Sequence, residues 1–109
     1  MTRFKSVGLV LFALLAVGVQ PAKAQDKGAT VYAAQKCSLC HSLDGKGNAK
    51  GPLDKVGATL KVDEIREWIV NPAEMTKKAN ATRKPLMKAY PSLPKADLDA
   101  LVAFLAAKK

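Results

Sequence analysis

Apolar positions are arranged in two ways along this chain. Near the start, Val7 to Val19 is an almost unbroken apolar run behind the basic residues Arg3 and Lys5, and Ala22-Lys23-Ala24 supplies the small residues of a cleavage site. The run is about 13 residues, short of the ~20 that cross a bilayer as a helix. It therefore predicts a cleaved secretory signal over residues 1–24 in preference to a permanent anchor or a buried core helix. No cysteine stands at the end of the run to take a lipid.

Beyond the run, apolar residues recur at helical spacing in short stretches. A first helix is predicted from about Gly28 into Cys37, with Val31 and Tyr32 on one face. Gly45, Gly47, Gly51, Pro52 and Gly57 then enforce a long irregular loop. A second helix starts near Asp63 and Glu64, whose charges suit a helix N-terminus, and aligns Ile65, Trp68 and Ile69 before Asn71-Pro72 ends it. Residues 72–94 are punctuated by proline, with room for one helical turn around Ala73 to Lys78. The last helix is the plainest: Pro94 opens it, Asp97 and Asp99 sit near its positive end, and Lys108 and Lys109 lie at the other. Leu98, Leu101, Val102 and Leu105 repeat at i, i+3, i+4, i+7, and Phe104 borders that stripe. There is no internal repeat and no alternating run long enough for a strand. The fold class is all-α, with loops longer than so small a bundle needs unless they wrap something.

Length and charge sharpen this picture. Cleavage after Ala24 leaves residues 25–109 as one domain, small enough that its core needs reinforcement. It also removes Arg3, Lys5 and Lys23 from the 18 basic residues and none of the nine acidic ones, leaving +6 spread along the chain. A solvated basic surface of that kind suits redox protein partners with acidic docking surfaces, or an anionic membrane face. Nucleic acid is not an expected partner of an exported protein.

The two cysteines carry the chemistry. Cys37-Ser38-Leu39-Cys40-His41 places thiols at i and i+3, the same side of a helical turn, with imidazole directly after. In an exported chain this is the attachment sequence of covalent haem c: two thioethers along one edge, and His41 on the iron. A redox dithiol or a disulfide leaves His41 without a use, and a dithiol of the thioredoxin kind also wants a βαβ context. Zinc needs four ligands, where the chain offers two cysteines and one histidine. With a single histidine, bis-histidine ligation within the chain is excluded, and methionine is the expected sixth ligand. Met87, in the extended Lys84-Pro85-Leu86-Met87 segment before the last helix, is preferred over Met75, which follows the Pro72 break too closely to reach far.

Gly28 and Tyr32, the Cys37–His41 pentapeptide, Gly51-Pro52-Leu53, Trp68-Ile69-Val70-Asn71-Pro72, Pro85-Leu86-Met87 and Leu98 to Leu105 follow the order seen in class I c-type cytochromes, especially short bacterial monohaem ones. The resemblance covers residues 28–107. It implies a cytochrome c fold of three to four short helices and long loops around one haem. It also implies that the Pro52 carbonyl accepts a hydrogen bond from the His41 ring, that Trp68 lines the distal side, and that Gly28 lets the first and last helices cross against Phe104. Tyr32 stands five residues before Cys37, where the family usually has four, and one residue turns a helix by about 100°. Either the helix bulges, or Ala29 and Ala33 replace Gly28 and Tyr32 at the crossing. The function implied is periplasmic one-electron transfer, with no general base, nucleophile or substrate pocket to suggest an enzyme. A peroxide-reducing haem would want a distal acid–base group. A role as a subunit or sensor within a larger complex stays open.

Overall fold

The computed structural model of the protein describes residues 22–109, so the apolar run read as a signal lies outside the described residues. The elements run α1 (Ala22–Ala34), a 3₁₀ turn at Cys37–Leu39, β1 (Ser42–Leu43), β2 (Lys46–Gly47), α2 (Val56–Thr59), α3 (Val62–Val70), α4 (Pro72–Ala79) and α5 (Lys95–Ala106). Among the described residues, no helix is long and apolar enough to cross a membrane.

α1 and α5 form the main packing interface, with α3 against α5. The core gathers Val31 and Tyr32 of α1, Leu43, Ile65 and Ile69 of α3, and Leu101, Val102, Phe104 and Leu105 of α5. The predicted stripe on α5 is buried at Leu101, Val102 and Leu105, while Leu98 is only half-buried. Ala100 and Phe104 are buried as well, because α5 packs on α1, α3 and α2 and so needs a second apolar face. At the crossing, a Cβ on residue 28 would run into the Phe104 Cβ and the Ala100 carbonyl, so only glycine allows the approach. The Tyr32 and Phe104 rings pack there with centroids 5.9 Å apart. Gly28 and Tyr32 thus make the contact, and Ala33 is exposed. The extra residue before Cys37 makes no bulge. α1 ends at Ala34, short of the expected Cys37, and Lys36 takes up the residue outside the helix in a left-handed conformation, φ 58°.

The loop expected to be irregular contains a hairpin, Ser42 pairing with Gly47 and Leu43 with Lys46. Asp44 and Gly45, at φ 51° and 78°, form its two-residue turn, the Asp-Gly pair that fits such a turn best. α3 begins where the acidic residues indicate: the Glu64 carboxylate accepts from the Lys61 N–H at 3.0 Å. Asn71 closes α3 and Pro72 opens α4, which runs two turns where one was expected and stops at Asn80 in a left-handed conformation, φ 50°.

Candidate functional site

The left-handed Lys36 turns the chain out of α1 and into the cysteine pair. The N–H groups of Cys40 and His41 both donate to the Cys37 carbonyl, at 3.1 and 2.9 Å, so residues 37–41 are wound into one tight turn. That winding puts positions 37 and 40 on one side. Cys37 is half-buried and Cys40 exposed, neither is in a disulfide, and both line a single cavity of about 690 Å³. Burial pushes the Cys37 thiol above its ordinary pKa. A thiol raised in this way forms thiolate less readily, which disfavours dithiol exchange.

His41 lines the same cavity. Its Nδ1 lies 3.0 Å from the Gly51 carbonyl oxygen, which can only accept, so Nδ1 carries the proton and Nε2 keeps its lone pair. Burial holds the His41 pKa below its usual value, more than the Gly51 bond raises it, with the nearby Arg83 charge acting in the same direction as burial. The ring is therefore kept as neutral imidazole, the form that binds a metal.

The acceptor of this bond corrects the expectation placed on Pro52, because it is the carbonyl one residue earlier. Ser42 and Pro52 form a parallel bridge in which the Ser42 N–H donates to Gly51 and the Leu53 N–H to Ser42. Successive carbonyls of extended backbone point to opposite sides, so Gly51 faces the His41 segment and Pro52 faces away. Pro52 is exposed and is not among the residues lining the cavity. Gly51 is required there, since a Cβ would meet the Cys40 carbonyl and the Arg83 guanidinium.

Trp68, half-buried beside Ile65 and Ile69 on α3, and Met87, half-buried in the segment before α5, both line the cavity. Met75 is buried in α4 and does not. Tyr32 also contributes to the wall, and its hydroxyl is a buried polar atom with no hydrogen-bond partner among the described residues. Two thiols on one turn, a neutral imidazole, a thioether and aromatic and aliphatic walls form a donor set that fits haem c. A second, more open depression of about 570 Å³ beside Gly57 and Ala106 has no thiol, imidazole or thioether in its lining.

Three contributors to this site were not foreseen. The Arg83 guanidinium donates to the Cys40 carbonyl at 2.6 Å, and the Asn48 side chain donates to the Leu39 carbonyl at 3.2 Å. Tyr90 is fixed twice, its N–H on the Ile69 carbonyl at 2.9 Å and its hydroxyl on the Gln35 carbonyl at 3.2 Å. Each bond is made to a backbone oxygen, and a carbonyl has no residue type to read. Gly51 did carry a signal, the Gly-Pro pair, which marked the right place and suggested the wrong carbonyl.

Comparison with known proteins adds one finding. A family model described as Cytochrome c matches residues 25–109, and the chain belongs to that family. Comparisons with curated proteins and with solved structures returned no match. Membership gives the coarse function, electron transfer by a protein that binds haem c.

Proposed function

Proceeding from membership of the cytochrome c family, we propose that this chain is an exported, periplasmic carrier of one electron, with one haem c held covalently by Cys37 and Cys40 and with His41 and Met87 as axial ligands. The observation that carries the reading is convergence: Cys37, Cys40, His41, Trp68 and Met87, drawn from three separate parts of the chain, line one cavity. When bound, haem c supplies the Fe(III)/Fe(II) couple. The protein's part is to bind and tune it. The two cysteine sulfurs keep the group in a domain too small to enclose it fully. The Gly51 carbonyl fixes the His41 ring orientation and raises its basicity toward the metal. Met87, as a thioether ligand, favours the reduced state and raises the potential relative to imidazole. Trp68 excludes water from that side. His41 and Met87 would hold the group, and neither residue would have to let go for its charge to change.

The reading assigns no catalytic reaction. His41 is the chain's one histidine and no carboxylate lines the cavity among the described residues, which leaves peroxide chemistry without a distal carboxylate or imidazole. One measurement tests export, haem count and covalency together: the mass of the denatured protein recovered from the periplasm of producing cells. Residues 25–109 plus one haem is the expected value. A haem-free mass overturns the attachment, and a mass retaining residues 1–24 overturns the cleaved signal.

The partner proposed is a redox protein with an acidic docking patch. Lys36, Lys50, Lys84 and Lys88 are exposed and line the mouth of the cavity, so the mouth carries one sign of charge, and Leu39 and Leu86 stand exposed beside them. Such a rim steers association by about 10-fold or more at low salt. Electron-transfer rates with an acidic partner should fall steeply as salt is added, and Lys84→Glu, Lys88→Glu should flatten the fall. A salt-independent rate in both proteins would place docking elsewhere.

A further inference from the structure

We propose that Arg83 is a latch, the positioning residue that keeps the Met87 segment closed over the cavity. The proposal rests on the reading of Met87 as an axial ligand and concerns what holds that ligand in place.

The segment is almost unsupported. Ala81 donates to the Thr76 carbonyl and Tyr90 to the Ile69 carbonyl, but among the described residues no backbone hydrogen bond begins or ends between residues 82 and 89. Every residue from Ala81 to Ala89 is exposed except Met87, which is half-buried. A stretch whose backbone is bonded only at its ends, and in which Met87 alone packs against the core, belongs to the low-stability part of a protein, where opening costs little. Between those ends, one hydrogen bond among the described residues crosses out of the segment: Arg83 Nη2 to the Cys40 carbonyl, 2.6 Å.

That bond does more than close a gap. The guanidinium also lies against Gly51, in the space a side chain there would fill, and the Gly51 carbonyl is the acceptor that orients His41. One side chain from the Met87 segment therefore grips the two backbone positions, Cys40 and Gly51, that adjoin and orient the opposite ligand. Arginine suits the task because its flat, delocalised head can donate at one edge while resting on a glycine. A lysine ammonium keeps the charge but cannot lie in that way. A charged donor on a carbonyl is also stronger than a neutral one.

A ligand that must displace Met87 can bind only when the segment is open, so its apparent affinity is scaled by the open fraction. The test uses imidazole as the probe, titrated into the ferric holoprotein and read by the visible spectrum. Arg83→Met should raise imidazole affinity by about threefold to tenfold, the range of a charge-assisted hydrogen bond discounted for exposure. Arg83→Lys should fall between it and wild type, and it supplies the readout if Arg83→Met does not take up haem. In a Met87→Ala background the axial position is already vacated, so adding Arg83→Met should change nothing. Wild-type affinity in both Arg83 variants would overturn the latch. So would an equal increase with and without Met87, which would mark a through-space charge effect on the iron. If Met87→Ala alone leaves both imidazole affinity and the sulfur-to-iron band unchanged, the ligand assignment fails and the latch fails with it. Met87→Ala raising affinity while Arg83→Met does not would sink the latch alone.

Discussion

The helical side of the molecule and the segment from Ala81 to Pro94 keep their shapes by opposite means. On the helical side, α1, α3 and α5 bury a shared apolar cluster, and Gly28 brings two backbones into contact. In the segment, residues 81–89 are exposed apart from Met87, and position is set by a few polar bonds, from Ala81 to the end of α4 and from Arg83 and Tyr90 to distant carbonyls. The first arrangement resists displacement because every shift opens a void. The second can open without disturbing the core. A cavity bounded by both has one fixed wall, bearing Trp68 on α3, and one adjustable wall, bearing Met87.

The largest effect expected tests whether the helical side deserves to be called fixed on its own. Leu101, Leu105, Ile65 and Ile69 of the core also line the cavity, so part of the core is completed by what the cavity holds. Cys37→Ala, Cys40→Ala should leave no covalent haem and little folded protein, since a chain this short has too little buried surface to offset its ordering entropy. Far-ultraviolet circular dichroism and haem absorbance of the purified double variant check this. A helical, cooperatively melting, haem-free product would break the comparison, turning it into one between an autonomous domain and a loop attached to it.

The two methionines divide along the same line. Met75 is buried on α4, and Met75→Ala should cost about 2–5 kcal/mol in urea unfolding, as for other buried large-to-small changes, with potential and sulfur-to-iron band unchanged. Met87→Ala should abolish the band and lower the potential. Its effect on urea unfolding should be smaller than that of Met75→Ala if packing alone is counted, because Met87 is only half-buried. An exchange of these patterns would move the ligand to the helical side.

How far each region could be read in advance follows from what holds it. α3 and α5 were legible because burial leaves a periodic trace at Ile65, Trp68 and Ile69 and at Leu101, Val102 and Leu105. That the cysteine pair, His41, Trp68 and Met87 belong together could be read from residue types, and the fold brings them to one cavity. The hairpin left no trace beyond Asp44-Gly45, because strands of two residues are too short to alternate. Arg83 left none, since its bond joins positions 43 apart in sequence and ends on a backbone oxygen. The acceptor for His41 depended on which way one carbonyl turned in a two-residue bridge.

Gly28→Ala tests the fixed side at its closest approach. Alanine is favoured over glycine by about 1 kcal/mol in a helix interior. Here the new Cβ would strike the Phe104 Cβ and a backbone carbonyl, neither the free end of a flexible side chain. Overpacking of this kind costs about 1–3 kcal/mol, so the net change in urea unfolding should be destabilising. A stabilised Gly28→Ala would mean that α1 and α5 can slide apart at no cost and that the helical side is less fixed than its packing implies.

The smallest effect concerns the polar link between α3 and α5, Arg66 to Asp99. Asp99 accepts from Arg66 of α3 at 2.8 Å and from Lys95 of its own helix at 2.7 Å. The Lys95 bond first, and the Arg66 bond second, hold its carboxyl below the ordinary 3.8. A carboxylate whose pKa is lowered on folding stabilises the fold above its unfolded value, and that contribution is lost as pH falls through the folded one. Asp99→Asn should therefore lower the urea midpoint slightly and by a constant amount near neutral pH. The gap should begin to close near pH 3.8 and vanish below the lowered value, where wild type carries the same neutral group. Added salt should narrow it at every pH, as expected of an exposed pair. The sulfur-to-iron band should not respond, because the bond lies wholly between helices. If Asp99→Asn instead weakened the band with the midpoint unchanged, the two regions would be coupled through α5, and the adjustable wall would depend on the fixed one for more than its end points.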